Sequence, residues 1–205
     1  TALAKQADVA IVFVATNSGE GHDRKSLSLD DLPYSSNSSD DLVAAVALGA
    51  PKVVVVMVTP GAVLTPWRNS VSSIVAAFLP GQEYGNAITE LLWGDVAPTG
   101  RLPITMPETE DDLSFSIEQY PGVPRKVADP RVKNGYVTDT TYSEKLEVGY
   151  RYYDAHGVVP AFHFGHGLSY TSFGYSDIKA SASAVSFAVT NLGSCDGTEV
   201  VQLYL

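Results

Sequence analysis

The hexapeptide Val53 to Val58 is β-branched at nearly every position and lies between Pro51 and Pro60. Those prolines and that composition confine it to a short strand. Val9 to Val14 is a second run, uniformly apolar. A strand with no polar alternation has both faces buried, as in a parallel sheet covered by helices. Between the two runs, Asp40 to Leu48 reads as a helix, with Ser39 as N-cap and Gly49 at C′. This gives one βαβ unit. Ser73 to Phe78 supplies a third strand, and Gln82 to Trp93 a second helix that carries Ile88, Leu91 and Leu92 on one face and stops at Gly94. Arg101 to Thr105 adds a short edge strand. The expected fold class is therefore α/β, a layered domain with a mostly parallel sheet over residues 1–110.

Beyond Pro107 the chain becomes acidic, with Glu108, Glu110, Asp111 and Asp112, and then rich in proline and tyrosine. Thr109 to Thr141 shows no periodic element, so residues 111–172 read as a long connector with functional loops. From Phe173, the segments Ser186 to Val189 and Glu199 to Leu205 alternate in the strand period around a turn at Asn191 to Gly193. They read as the first strands of a small β-sandwich over residues 173–205. About seven strands complete such a sandwich, so the expectation is that it is truncated.

Charge and composition exclude several functions. The 205 residues carry 13 Lys and Arg against 23 Asp and Glu, a net charge of -10, which repels a phosphate backbone. Nucleic acid is not an expected partner, and neither is a membrane, because no apolar run approaches the ~20 residues that span a bilayer. Thr1 to Ala7 has neither the basic flank nor the apolar core of a secretory leader. The single cysteine, Cys195, excludes an intrachain disulfide and any Cys-based metal site. His163 and His166 lack the helical spacing of a zinc-protease pair and read as packed loop histidines. Gly19-Glu20-Gly21 is not completed to a dinucleotide fingerprint, and no serine has the flanking glycines of a nucleophile elbow.

Ser18-Gly19-Glu20-Gly21-His22-Asp23-Arg24 directly follows the first strand. Ligands of open α/β sheets bind in the crevice beyond the carboxyl ends of the strands, which is where this loop falls. Glycines on both sides of Glu20 widen the backbone's choices and admit a ligand closely. A carboxylate there can serve as acid, base or anchor for a sugar hydroxyl. The purely structural alternative is a surface ion-pair cluster of Glu20, Asp23 and Arg24 that braces the loop.

Five separated motifs, in order, resemble the C-terminal half of glycoside hydrolase family 3 enzymes of the β-glucosidase type. They are Ser18 to Arg24 with Leu27 and Leu29; Leu79 to Glu83; Leu92 to Asp95 with Pro98 to Pro103; Val148 to Asp154; and Phe164 to Thr171. In that family a (β/α)8 barrel carries a nucleophilic aspartate, a following α/β sandwich carries the acid/base glutamate, and many members add a fibronectin type III-like domain. The resemblance implies that the chain holds part of the sandwich and the start of the fibronectin-like domain, with the barrel missing. It implies that Glu20 is the acid/base carboxylate of a retaining β-glycosidase acting on terminal non-reducing β-linked sugars, with no metal or organic cofactor. Ser18 and His22 become candidate sugar contacts, although His22 stands where the motif more often has an aromatic or small residue. Trp67 and Tyr84 are candidates for the aglycone side, with core or surface packing as the alternative. A non-catalytic sugar-binding or interaction module built on the same fold remains the competing class.

Asn37-Ser38-Ser39 is an N-glycosylation sequon in a polar stretch ahead of the first helix. With the acidic charge and the glycosidase resemblance it points to a secreted or extracellular protein, periplasmic if bacterial. In protein from a eukaryotic secretory host, deglycosylation and peptide mapping should find Asn37 converted to Asp; an unmodified Asn37 counts against secretion.

Overall fold

The computed structural model describes residues 2–21, 23–30 and 38–204. Asn37 and its sequon context therefore lie partly outside the described residues, as does His22. Three strands, β1 (Ala10–Ala15), β2 (Val53–Val58) and β3 (Ser73–Ala76), form a sheet in that order. Both pairings are parallel, with Ala10 opposite Val53 and Val54 opposite Ser73. The expected β1 is displaced by one residue. The expected β3 ends early because Phe78 takes a φ of 51° and turns the chain.

Helix α1 (Ser39–Ala47) covers one face of the sheet, seating Val43 and Val46 over Val12, Val14, Val53, Val55 and Met57. Its N-cap is Ser38 rather than Ser39: the Ser38 Oγ accepts from the Asp41 amide at 2.9 Å. Asp30 secures the same end, accepting from the Ser38 hydroxyl and the Ser39 amide. Gly49 follows the C-cap Leu48 without a left-handed φ.

Double-sided burial holds for β2 and fails for β1. Val53, Val55, Val56 and Met57 are at most 2% exposed, whereas Ile11 and Phe13 on β1 are 39% and 55% exposed. Among the described residues β1 is an edge strand whose second face has no covering layer. Its apolar sequence reports burial on both faces, and the described residues supply one. Fully burying a side chain of this size stabilises by about 1.5–3 kcal/mol, which concentrates the core around β2.

Helix α2 (Tyr84–Trp93) ends, as its sequence indicates, at Gly94, whose φ of 83° is a left-handed C-cap. Arg101 to Thr105 is not a regular strand. It runs beside residues 162–167 and exchanges irregular backbone bonds, Leu102 N to His166 O and Gly165 N to Leu102 O, each 2.8 Å, before a single bridge between Met106 and Phe162. Pro103, which has no N–H to give a ladder, explains the irregularity. The stretch read as featureless contains a 3₁₀ turn at Glu110–Asp112 and a hairpin of β4 (Val123–Lys126) and β5 (Tyr136–Asp139). A third helix, α3 (Tyr150–His156), lies between Gly149 and Gly157, both at positive φ. The antiparallel pair β6 (Phe173–Ala180) and β7 (Val185–Asn191) follows. Ser186 to Val189 thus falls inside β7. Glu199 to Leu205 forms no strand among the described residues; Glu199 instead pairs with Arg101 at 2.6 Å and accepts from the Tyr175 hydroxyl at 2.9 Å.

Trp67 is 4% exposed in the core, and its indole Nε1 donates to Asp40 Oδ1 at 2.7 Å. Burial, more than the neighbouring Asp30 and Asp41 charges, raises the Asp40 carboxyl above its ordinary 3.8, against the lowering effect of the Trp67 bond. A raised folded value means that Asp40 favours the folded state in its protonated form. Its contribution is present below 3.8 and is lost as pH rises through the folded value. Asp40→Asn keeps an acceptor for Trp67 and removes the titration. The melting temperature of the native chain, relative to this variant, should fall as pH rises through that window; parallel pH profiles refute the assignment.

Candidate active site

The carboxyl ends of the three parallel strands release three loops on one side of the sheet. The loop after β1 starts at Thr16 and carries Ser18, Glu20, Asp23 and Arg24; the loop after β2 runs from Thr59 to Ser72; the loop after β3 runs from Ala77 to Glu83. Glu20 therefore occupies the crevice edge that its sequence position implies. Ser18 and Glu20 are both exposed. Gly21 takes a φ of 68°, a left-handed conformation that suits glycine, and a Cβ at Gly19 would meet nothing within 4 Å among the described residues.

The base of the loop is fixed. The Thr16 amide donates to Val58 O at 3.2 Å, extending the β1–β2 pairing into the crevice, and Thr16 itself is 4% exposed. Farther along, Arg24 Nη2 donates to Ala62 O at 2.9 Å and the Leu64 amide donates to Leu27 O at 2.9 Å. The first two loops are thereby stitched together at two points. Leu29, fully buried, inserts this stretch into the core beside Val63 and Trp67.

The expected ion-pair cluster of Glu20, Asp23 and Arg24 does not form among the described residues. Asp23 is exposed, and the guanidinium turns to a backbone carbonyl instead.

Sequence reasoning missed the contribution of the acidic segment after Pro107. Glu110 Oε1 accepts from the Leu27 amide at 2.5 Å, and Glu108 pairs with Arg68 in the loop after β2. Asp112 closes a capping box with Thr109 and receives the Tyr153 hydroxyl at 3.3 Å. Burial acts to raise the Asp112 carboxyl, but hydrogen bonds from Thr109, the Glu108 and Thr109 amides and Tyr153 prevail and hold it below its ordinary value. Burial, and then the Asp112 charge, push the Tyr153 phenol up to about 12. The signal in the sequence was the Thr109-x-x-Asp112 spacing, which resembles a helix-capping pattern without an apolar run after it.

Two cavities lie elsewhere. One of about 710 Å³ is lined by Tyr150, Arg151, Asp154, His163, Phe164 and Tyr204, among others. A wider one of about 1020 Å³ runs between β3, α2 and the segments around Leu102 and Leu168. Ser18 and Glu20 line neither. Trp67, buried and bonded to Asp40, is a core residue and no aglycone contact; Tyr84 is half-buried. His163 and His166 are exposed rather than packed, with His166 tilted against Phe162 at 5.5 Å. Among the described residues, no cluster of His, Cys, Asp or Glu could hold a metal ion, and no helix is long and apolar enough to cross a membrane.

The chain is similar to known proteins in sequence and fold. Residues 1–170 match the glycosyl hydrolase family 3 C-terminal domain. The chain is 40% identical to beta-glucosidase B of Emericella nidulans and 38% identical to thermostable beta-glucosidase B of Acetivibrio thermocellus. Each comparison covers 98% of this chain, and 24% and 26% respectively of the relative. Beta-glucosidase 3B from Thermotoga neapolitana, solved in complex with alpha-D-glucose, superposes over 94% of this chain and 26% of its own, with a TM-score of 0.76 and 35% identity. The chain thus spans about a quarter of the length of these relatives. With the family domain matched over most of its length and relatives of this similarity across nearly all of it, the chain belongs to glycosyl hydrolase family 3, as its C-terminal domain.

Proposed function

We propose that this chain acts within a retaining β-glycosidase of the β-glucosidase kind and supplies its acid/base carboxylate, Glu20. The observation that carries the reading is the position of Glu20, flanked by glycines on the crevice loop after β1, in a chain of this family. The relatives are named beta-glucosidases, which makes a terminal non-reducing β-linked sugar the substrate class. Retention needs two carboxyl groups about 5–5.5 Å apart, one attacking the anomeric carbon and one protonating the leaving oxygen. In this reading the nucleophilic aspartate belongs to a (β/α)8 barrel outside the chain. Glu20 gives its proton to the departing aglycone oxygen, then takes one from the water that opens the glycosyl-enzyme. Ser18, two residues before it and likewise exposed, is assigned contact with a sugar hydroxyl, and His22 the same role from its motif position.

Residues 1–110 form the α/β part of the sandwich in this reading, residues 111–172 a connector with long loops, and β6 and β7 the opening of a fibronectin type III-like domain. Extracellular action on sugars agrees with the sequon at Asn37 and the net charge of -10.

In the complete enzyme, Glu20→Gln should slow release of a poor leaving group by about 10²- to 10⁴-fold, the usual worth of general acid catalysis, and release of an activated phenol far less. Equal losses on both substrates count against the assignment. The isolated chain, assayed alongside after its mass is verified, should show no enzyme-like turnover; if it turns over robustly, the division of labour between barrel and sandwich is wrong. A sugar-binding module without catalysis would bind glycosides yet leave both substrates intact in the complete protein.

A further inference from the structure

We propose that Arg24 is a positioning residue for Glu20, a latch that holds the acid/base loop against the loop after β2; the inference rests on the role proposed for Glu20. No hydrogen bond or ion pair among the described residues holds the Glu20 side chain, which stands exposed between Gly19 and Gly21, the latter at positive φ. The place of its carboxylate is therefore set by where the loop is anchored on either side. On the amino side the anchor is the Thr16 amide on Val58 O. On the carboxyl side the first side-chain anchor among the described residues is Arg24, whose Nη2 reaches Ala62 O at 2.9 Å, three residues before the backbone bond between Leu27 and Leu64.

The form of this anchor is expensive. Arg24 Nη1 is buried and has no hydrogen-bond partner among the described residues, and no carboxylate pairs with the guanidinium. Burying a charged donor without a partner carries a desolvation cost that an apolar residue at the same place would not. The neighbouring contacts already hold the rest of the loop: Leu29 is fully buried, and Glu110 accepts from the Leu27 amide. What Arg24 adds is a planar, long-reaching donor that fixes one point of the loop close to Glu20, a geometry that a lysine reproduces only in part. Precision of this kind matters for a proton donor, because a displacement of about 1 Å can cost about 10²-fold in rate.

The latch is tested in the complete enzyme with Arg24→Ala and Arg24→Lys, using Glu20→Gln as reference. Arg24→Ala should lower kcat for a poor leaving group by roughly ten- to a hundredfold, with KM little changed and an activated aglycone nearly unaffected. Arg24→Lys, which keeps one donor for Ala62 O, should fall between. Hydrogen exchange should quicken in peptides covering residues 17–28. A role confined to stability would lower the melting temperature but leave the two substrates equally affected, and this result overturns the proposal, as do unchanged kinetics or a loss entirely in KM. Should Arg24→Ala fail to fold, the leaving-group dependence of Arg24→Lys decides alone. If Glu20→Gln shows the leaving-group signature and both Arg24 variants lack it, only the latch falls; if Glu20→Gln lacks it as well, the acid/base reading falls with it.

Discussion

The parallel pairing of β2 with a strand on each side is the constraint on which the rest of the structure depends. Val53, Val55, Val56 and Met57 can be buried on both faces of one strand only if neighbours take up its backbone groups on both edges. Parallel pairing in turn forces each connection to cross back over the sheet, which is why α1 stands between β1 and β2. It also sends all three carboxyl ends the same way. The loops starting at Thr16, Thr59 and Ala77 meet on one side as a consequence of register, before any side chain in them is specified.

What the strands bring together, the acidic segment after Pro107 secures. Four carboxylates within five residues would repel one another in isolation, but three of them have partners: Glu108 takes Arg68, Glu110 takes the Leu27 amide, and Asp112 takes Thr109 and Tyr153. Exposed pairs of this sort contribute little to global stability singly. Their value is local: Glu108 and Glu110 each fix a different crevice loop to a common segment, and Asp112 ties that segment to α3. The acidic segment from Glu108 to Asp112 is therefore part of the architecture around the loop that carries Glu20, although it contributes nothing to the main sheet.

The sequence disclosed those elements whose local signals and tertiary surroundings agree. β2 has both its β-branched residues and its bounding prolines, and α2 has Gly94 where a left-handed cap is needed. The position of Glu20 followed from the same logic, since a loop after a parallel strand has only one place to go. Elements held by contacts distant in sequence stayed hidden. β4 is Val-Pro-Arg-Lys, exposed throughout, and exists because β5 pairs with it and Asp139 meets Arg125. α3 is an aromatic heptapeptide of modest helix propensity, set off by glycines at both ends and anchored by Tyr153 on Asp112. In the other direction, the alternation of Glu199 to Leu205 announced a strand that does not form among the described residues. Glu199 is occupied by Arg101 and Tyr175, and an ion pair between side chains 15% and 13% exposed outweighs a pattern that only suits a sheet edge.

The uncovered face of β1 and the exposure of Glu20 bear on a single physical requirement. A carboxyl group that donates its proton near neutral pH is kept in its neutral form by apolar surroundings. Ile11 and Phe13 are half open, and the Glu20 turn stands in solvent. The chain therefore fixes the place of the carboxylate, through β1, the stitched loops and the acidic connector, without furnishing the dry surroundings that acid catalysis uses. In the proposed enzyme these two tasks are divided. The sandwich holds the acid in position, and the surface that closes over the crevice excludes water and brings the nucleophile, so that neither part performs the reaction without the other.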